Sequence, residues 1–194
     1  GFGAGERYRR RDLLTAMMVK SSNDAAEALA RDYAGSSERF AGIMNRRARM
    51  LGATSSHFVN PHGLTESGQY STARDIARIA YRAYRNRSLR RMMQLPAFSF
   101  QLESGRVKRL KATNKLLGRS SDYNGMKTGY TRASGRCLVS SISARGSDLI
   151  LVQLGSKTKY IFDDAERLMR WGIGRTGWGG FARASGAGEA AYQP

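Results

Sequence analysis

Two segments, RCLVSSISA at residues 136–144 and LILVQL at residues 149–154, decide the fold of this 194-residue chain. The first mixes apolar and small polar residues over the length of a strand, and the second is an apolar run that only Gln153 interrupts. Such a run is expected for a strand that is covered on both faces. Gly146 and Ser147 lie between the two segments, so the pattern predicts an antiparallel hairpin.

More strands are predicted before this hairpin. Aromatic and polar residues alternate at 98–101, Ser104 and Gly105 form a turn, and the chain returns at 107–110, which predicts a second hairpin. Residues 125–130 are predicted to open a strand that leads into the first hairpin. Pro96 therefore marks the change from helical to alternating periodicity.

Helices are predicted on both sides of the strand region. Apolar residues at helical spacing mark residues 13–20, 23–30, 37–51, 73–83, 89–95 and 161–171. Asp12, Ser36 or Ser37, and Thr72 are the expected N-caps, and Thr72 with Asp75 has the spacing of a capping box. Helices, then antiparallel strands, then a closing helix predict an α+β fold with helices on both faces of the sheet.

The chain is long enough for one domain with a hydrophobic core. We assign residues 1–174 to that domain and expect the Gly- and Ala-rich tail at 175–194 to be disordered. The single cysteine, Cys137, excludes an internal disulfide and is expected in the core. No apolar stretch of the sequence approaches the length of a membrane span, and no metal-ligand cluster or nucleotide-binding loop suggests a cofactor.

The chain is strongly basic, with 33 Lys and Arg against 15 Asp and Glu and a net charge of +18. The arginines are scattered along the predicted helices, which favours a solvated surface over a dedicated groove. The alternative is a polyanionic partner, either nucleic acid, anionic lipid headgroups or an anionic cell-envelope polymer. The sequence contains no helix-turn-helix, zinc or RNA-binding signature, so we expect no nucleic-acid partner.

A Lys-Thr-Gly triplet, Lys127 to Gly129, lies on a predicted strand and suits a peptide that ends in a carboxylate. The ammonium of Lys127 supplies positive potential, and the hydroxyl of Thr128 can donate to the carboxylate. Gly129 leaves the backbone clear for a peptide along the strand edge, and Thr131 adds a second hydroxyl. We assign Lys127 to the catalytic residues, and Thr128, Gly129 and Thr131 to substrate binding.

A Ser-Ser-Asn triplet, Ser21 to Asn23, lies at the break between the first two predicted helices. Short polar side chains at such a break can point into a cleft. The hydroxyl of Ser21 can relay a proton to a leaving amine, and the amide of Asn23 can hold both a peptide carbonyl and an N–H group. Ser21 and Asn23 are further catalytic candidates. The alternative is ordinary helix capping by both residues, with a solvated turn at Lys127.

Many further segments extend the pattern of the two triplets. They are residues 6–8, 12–14, 21–26, 40–45, 48, 51–54, 58–64, 70–75, 114–117, 125–131 and 135–139. Together they resemble the low-molecular-mass D-alanyl-D-alanine carboxypeptidases, which are penicillin-binding proteins of serine peptidase family S11. The resemblance covers nearly all of the chain from residue 6 to about residue 171. It implies a β-lactamase/transpeptidase-like fold.

The resemblance also implies peptidoglycan chemistry without a cofactor. A serine attacks the peptide bond before the terminal D-alanine of a stem peptide that ends in D-Ala-D-Ala, an acyl-enzyme forms, and water releases it. β-lactam antibiotics acylate the same serine. The implied location is the periplasm or the cell exterior, with an export signal upstream of this chain.

The chain departs from the family at the nucleophile, which family members carry in a Ser-x-x-Lys motif upstream of the Ser-x-Asn segment. The only such spacing here, Ser156 to Lys159, follows the Lys-Thr-Gly triplet and is a chance match. We expect the nucleophile, its helix and two N-terminal strands to precede Gly1. Because those strands would border residues 149–154, that strand should have an unpaired apolar edge.

Three functions are therefore weighed. The first is a serine-type D-Ala-D-Ala carboxypeptidase, of which these residues alone should be inactive and marginally stable. The second is a catalytically inactive module that binds wall peptides or penicillins. The third is a basic nucleic-acid-binding protein, which only the net charge of +18 suggests.

Overall fold

The computed structural model describes residues 3, 5–144, 147–157 and 159–175. These residues form α1 (Arg10–Lys20), α2 (Asn23–Ala34), α3 (Ser37–Met50), α4 (Ala73–Tyr84), α5 (Arg87–Met93), β1 (Ala97–Gln101), β2 (Val107–Lys111), β3 (Tyr123–Thr131), β4 (Gly135–Ala144), β5 (Ser147–Ser156) and α6 (Ile161–Arg175). None of these helices is long and apolar enough to cross a membrane.

Strands β3, β4 and β5 form an antiparallel sheet in which β4 is central. Lys127 on β3 lies opposite Val139 on β4, which in turn lies opposite Val152 on β5. Strands β1 and β2 form a separate antiparallel pair, with Phe98 opposite Leu110. Both predicted hairpins are therefore confirmed.

Helices cover both faces of the three-stranded sheet. Leu138 and Ile142 of β4 are buried in one cluster with Met169 and Ile173 of α6. The opposite face packs against α4 and α5 through a second cluster, which contains Ala80, Tyr84, Met93 and Met126. Leu149 and Leu151 of β5 contact the first cluster and Ile150 contacts the second, as expected for an apolar strand that is covered on both faces. The predicted α+β fold with helices on both faces is confirmed.

Helix α1 packs against the smaller sheet. Leu13 and Ala16 of α1 share a buried cluster with Phe100 of β1. At the end of α1, the carbonyl of Val19 accepts a hydrogen bond of 3.1 Å from the N–H of Thr113, shortly after β2. This packing fixes the C-terminal end of α1 beside the segment that leads from β2 towards β3.

The outer edge of β5 has no strand neighbour among the described residues. Leu154 on this strand is 41% exposed. Unpaired N–H and carbonyl groups beside exposed apolar side chains make a strand edge prone to pairing with another chain. Within this part of the protein, the unpaired apolar edge expected from the sequence is present.

Two of the predicted N-caps are confirmed. The Ser36 hydroxyl accepts a hydrogen bond from the N–H of Arg39, and the Thr72 hydroxyl accepts one from the N–H of Asp75, each at 3.2 Å. The carboxylate of Asp75 does not complete a capping box. It accepts a hydrogen bond from the backbone N–H of Ser55 instead, with 2.7 Å between nitrogen and oxygen.

Three other local predictions are wrong. Helix α1 begins before the predicted N-cap Asp12, after Arg9, whose side chain makes no capping bond. Asp12 lies in the first turn, where its carboxylate still interacts favourably with the helix dipole. Helix α5 begins two residues earlier than predicted because the Asn86 side chain caps it. Cys137 is half-buried on β4 rather than enclosed in the core.

The C-terminal helix is longer than predicted, since α6 continues to Arg175. The rest of the tail that the sequence predicts to be disordered, residues 176–194, lies outside the described residues. Gly146 of the predicted turn between β4 and β5 also lies outside them, although the strands on both sides pair as predicted.

Candidate active site

One half of the site is the break between α1 and α2. Ser21 ends α1 in the left-handed conformation, with φ 61° and ψ 44°, and its N–H donates to the carbonyl of Met17. A residue other than glycine in this conformation carries about 1 kcal/mol of backbone strain. Ser22 is extended, and α2 begins at Asn23. The predicted break between two helices is therefore present.

The other half is a β-bulge in β3 just before Lys127. The register with β4 shifts between Tyr123 and Met126. Gly125 and Met126 both have positive φ, at 79° and 98°. A Cβ on Gly125 would lie 2.1 Å from the carbonyl oxygen of Met93 at the end of α5, so only glycine fits there. The bulge sets the direction of the side chains that follow it.

The two halves meet in a hydrogen bond between Lys127 and Ser21. The Nζ of Lys127 lies 2.5 Å from the Oγ of Ser21 and also donates to the carbonyl of Thr128 at 2.7 Å. Burial of the ammonium lowers the pKa of Lys127 from 10.5 to about 8. At neutral pH Lys127 is therefore mostly a cation, but it gives up its proton more easily than an ordinary lysine does.

Thr113 is a member of the site that the sequence did not reveal. Its Oγ1 lies 2.6 Å from the Oγ1 of Thr128, and either hydroxyl can be the donor. Through its backbone bond to Val19, Thr113 also contacts the helix that ends just before Ser21. It thus links the two halves of the site. A lone threonine after a predicted strand carries no local signal for such a position.

The remaining predicted residues flank this contact without joining it. Asn23 is exposed at the first position of α2. Gly129 is exposed on β3, whose only strand neighbour among the described residues is β4, so one edge of β3 is open. The Oγ1 of Thr131 accepts a hydrogen bond of 3.0 Å from the N–H of Ser134 in the turn between β3 and β4.

A network of polar side chains holds the bulge through Asn124. The Nδ2 of Asn124 donates to Ser143 at 2.6 Å and to Tyr84 at 3.2 Å, and its Oδ1 accepts from Gln94 at 2.7 Å. The hydroxyl of Tyr84 also donates to Asp148 at 2.8 Å. These bonds tie the bulge to α4, β4 and the end of α5, which restricts its movement. No local sequence pattern indicates this network.

The formal Ser-x-x-Lys spacing lies on the other side of the central strand. Ser156 is the last residue of β5 and is paired with Arg136 on β4. The ammonium of Lys159 lies 5.4 Å from the ring centroid of Tyr160. Neither residue lies on β3 or at the break after α1. In the described part of the chain, no group of three or more His, Cys, Asp or Glu side chains could hold a metal ion.

The sequence matches a known protein family. The profile of the D-alanyl-D-alanine carboxypeptidase family, peptidase S11, matches residues 2–158. The D-alanyl-D-alanine carboxypeptidase DacC of Escherichia coli K12 is 35% identical over 180 residues, which cover 87% of this chain and 42% of DacC. The chain therefore spans about two fifths of the length of such curated relatives.

Solved structures share the fold. A single-residue mutant of the Streptomyces K15 DD-transpeptidase superposes with a TM-score of 0.84 at 30% identity, covering 89% of this chain and 71% of that protein. Penicillin-binding protein D2 of Listeria monocytogenes in its cefotaxime-bound form gives a TM-score of 0.77 at 31% identity, over 86% of this chain and 67% of that protein. The expected transpeptidase-like fold is thus confirmed. With its sequence profile, its relatives and its fold in agreement, the chain belongs to the D-alanyl-D-alanine carboxypeptidase family.

Proposed function

We propose that this chain is part of a serine-type D-Ala-D-Ala carboxypeptidase that acts on peptidoglycan. The chain binds the carboxylate end of a stem peptide, and a serine in a Ser-x-x-Lys motif upstream of Gly1 attacks the bond before the terminal D-alanine. The hydrogen bond between Lys127 and Ser21 carries this proposal, because it joins the two family motifs of the chain in one place.

Ser21 is proposed to deliver the proton that the leaving amine needs. When Lys127 donates to the Oγ of Ser21, the hydroxyl proton of Ser21 is free to point at the scissile nitrogen. As the C–N bond breaks, Ser21 gives this proton to the nitrogen and takes one from Lys127, so D-alanine leaves with a neutral amine. A Lys127 pKa of about 8 makes this transfer easier than transfer from an ordinary lysine.

Strand β3 is proposed to hold the end of the peptide. The hydroxyl of Thr128 donates to the terminal carboxylate, and the open edge of β3 pairs with the peptide backbone as an added strand. Gly129 is exposed there and has no Cβ in the way. The amide of Asn23 and the hydroxyl of Thr131 are also proposed to contact the peptide.

β-lactam antibiotics are proposed to bind the same groove, because they too present a carboxylate near a reactive amide. Their binding is seen in one structural neighbour, the Listeria penicillin-binding protein D2 with cefotaxime. A peptidoglycan substrate implies a periplasmic or secreted protein, with the export signal encoded upstream. The net charge of +18 also suits anionic cell-envelope polymers as neighbours.

Labelling with a fluorescent penicillin tests the proposal on the protein made from the complete gene. Label that survives denaturing electrophoresis indicates an acyl-enzyme, and an alanine in place of the upstream Ser-x-x-Lys serine should abolish it. Ser156→Ala is the matched control and should leave labelling intact. A complete gene product that takes up no label would refute the enzymatic proposal.

A catalytically inactive peptide-binding module is the second candidate. It is favoured by the presence of Lys127 to Thr131 in a sequence of 194 residues that has no plausible nucleophile. Calorimetric titration with a D-Ala-D-Ala peptide, together with the gene sequence upstream of Gly1, separates the two candidates. Peptide binding by a protein whose gene has no upstream Ser-x-x-Lys favours the module. A titration that releases no heat beyond the buffer blank rules the module out.

A further inference from the structure

We propose that Asn124 is a positioning residue for Lys127, whose buried amide fixes the direction in which the Lys127 ammonium points. This inference rests on the proposed function and deepens it, since it names what keeps Lys127 beside Ser21. Asn124 lies three positions before Lys127, and the bonds of its side chain in the described part of the chain go to neither Lys127 nor Ser21. Asn124 therefore acts through the backbone of the bulge.

The amide of Asn124 is held by three hydrogen bonds. Its Nδ2 donates to the Oγ of Ser143 at 2.6 Å and to the hydroxyl of Tyr84 at 3.2 Å, while its Oδ1 accepts from the Nε2 of Gln94 at 2.7 Å. These bonds use both protons of the amide nitrogen and one lone pair of the oxygen. Asn124 is only 6% exposed, so water does not replace a bond that is lost.

The orientation of this amide is set by Asp148 at the start of β5. An ionised carboxylate only accepts hydrogen bonds, so Tyr84, at 2.8 Å, and Ser143 both donate their hydroxyl protons to Asp148. The two hydroxyls then present only lone pairs to Asn124, which must turn its NH₂ group towards them. Arg90 supports this order, since it donates to Ser143 at 3.0 Å and lies 3.7 Å from the carboxylate of Asp148. Burial raises the pKa of Tyr84, so its hydroxyl keeps its proton.

The bulge passes this constraint on to Lys127. Gly125 and Met126, the two residues between Asn124 and Lys127, have φ values of 79° and 98°. Gly125 also packs directly against the carbonyl oxygen of Met93. Backbone in this sparsely populated conformation persists only where its surroundings hold it in place. Movement of Asn124 therefore redirects the side chains that follow the bulge.

The ionisation of Lys127 reports its position. Within the described residues its ammonium forms no ion pair, and its hydrogen-bond partners, the hydroxyl of Ser21 and the carbonyl of Thr128, are uncharged. The charged members of the network, Asp148 and Arg90, pair with each other. Burial is thus what lowers the pKa of Lys127 to about 8. An ammonium that moves out into water regains its ordinary pKa of 10.5, so the pKa of Lys127 measures whether the bulge still holds it.

NMR titration of the lysine side chains in the 194-residue chain tests the inference. Lys127 is identified by the signal that Lys127→Met removes. Asn124→Ala should raise the pKa of Lys127 from about 8 towards 10.5, because the bulge loses its anchor. Tyr84→Phe keeps the ring but removes one of the three bonds, so it should raise this pKa by less.

Calorimetry with a peptide that ends in D-Ala-D-Ala adds a second measurement. At pH 7 Lys127 is charged in the wild type and in both variants, so differences in affinity report the position of the ammonium and not its charge. Asn124→Ala should weaken binding about tenfold, as for the loss of one hydrogen bond to a charged group.

Ile173→Val is the matched control. It removes one buried methyl group from α6, which packs on the opposite face of the sheet from Tyr84, so it lowers stability without touching the network. The pKa of Lys127 should stay at about 8 in this variant. An equal rise of this pKa in Ile173→Val and Asn124→Ala would indicate general loosening of the fold and overturn the inference.

The remaining outcomes separate the inference from the proposed function. A pKa of Lys127 that stays at about 8 in folded Asn124→Ala overturns the inference, as does a wild-type pKa near 10.5. If Asn124→Ala does not fold, Tyr84→Phe decides by the same criterion. A wild-type chain that binds no acid-ended peptide overturns the proposed function, whereas the NMR titration still decides whether Asn124 positions Lys127.

Discussion

The ammonium nitrogen of Lys127 lies 2.5 Å from the hydroxyl oxygen of Ser21, although 106 positions separate the two residues in the sequence. Both ends of this contact are constrained. Ser21 has a left-handed backbone, and Lys127 directly follows Met126, whose φ is 98°. Strained backbone and perturbed ionisation are concentrated where side chains must be held for binding or chemistry. The protonation of Lys127 and the strain at Ser21 can be measured separately.

Binding of an acid-ended peptide should weaken as the pH rises through about 8, the pKa of Lys127. Below this pH the ammonium is present and attracts the carboxylate, and above it the neutral amine does not. The peptide carboxylate itself stays ionised throughout this range. Calorimetry at a series of pH values measures the effect, with the carboxamide peptide as the reference. An affinity for the acid that stays constant well above pH 8 contradicts the prediction.

Lys127→Met should change how stability depends on pH. Unfolded, the lysine has its ordinary pKa of 10.5, and folded, it has a pKa of about 8. Between these values the unfolded chain binds the extra proton, so the free energy of unfolding of the wild type rises with pH, whereas the Met variant lacks this contribution. The difference between the two pKa values corresponds to about 3 kcal/mol, and at neutral pH all of this free energy opposes folding of the wild type.

Denaturant titrations of both proteins at pH 7 and near pH 10 measure this effect. The difference in free energy of unfolding between Lys127→Met and the wild type should shift by about 2 kcal/mol in favour of the wild type at the higher pH. Other titrating groups are common to both proteins and cancel. Parallel pH profiles would show that Lys127 titrates normally in the folded chain.

Ser21→Gly should be more stable than Ser21→Ala by about 1 kcal/mol, because glycine adopts the left-handed conformation without strain. Both variants lose the hydroxyl that contacts Lys127, so this loss cancels in the comparison. Ser37 is the matched control, since it lies in the first turn of α3, where glycine should be less stable than alanine. Thermal melts decide the order. The same order at both positions would contradict a strained Ser21.

The fold was predictable where its signals are local. The serine and threonine caps of α3 and α4 accept hydrogen bonds from N–H groups three residues away. The alternation of Phe98 and Phe100 with polar residues indicates β1, the first strand of the hairpin with β2. The start of α1 was not predictable in the same way. Arg9 makes no capping bond, and α1 is held by packing on the smaller sheet, through Leu13 and Phe100.

The site was predictable only in part, for a similar reason. Ser21 and Lys127 lie in motifs that the sequence displays, and the structure brings them together, while their catalytic roles stay predictions. Thr113 joins the site through one long-range side-chain contact, which leaves no periodicity to detect. The bulge likewise depends on how closely the backbone of Met93 approaches Gly125, a distance that only the packed helix determines.

Gly125→Ala should affect stability, whereas Gly129→Ala should affect only peptide binding. At Gly125 a Cβ would lie 2.1 Å from a backbone oxygen and φ is 79°, so alanine should destabilise the chain by about 3 kcal/mol or more. At Gly129 the nearest atom is the Cβ of Cys137 at 3.7 Å, so alanine should fold normally. It should still weaken binding of the acid-ended peptide if the peptide lies along β3. Melts and calorimetry on both variants measure this, and a Gly129→Ala chain with unchanged affinity would argue against strand addition at that edge.

A single charge on the outer edge of β5 should reduce self-association. Leu154 is 41% exposed on a strand with no outer partner among the described residues, so a lysine there meets water in the monomer and repels a second copy of the edge. Leu154→Lys should raise the monomer fraction in sedimentation experiments, while Leu168→Lys on α6, at a position 45% exposed, adds the same charge elsewhere and should not. Equal effects would show that net charge, not the strand edge, controls association. In the complete gene product the upstream strands are proposed to cover β5, so there the lysine should lower stability instead of improving solubility.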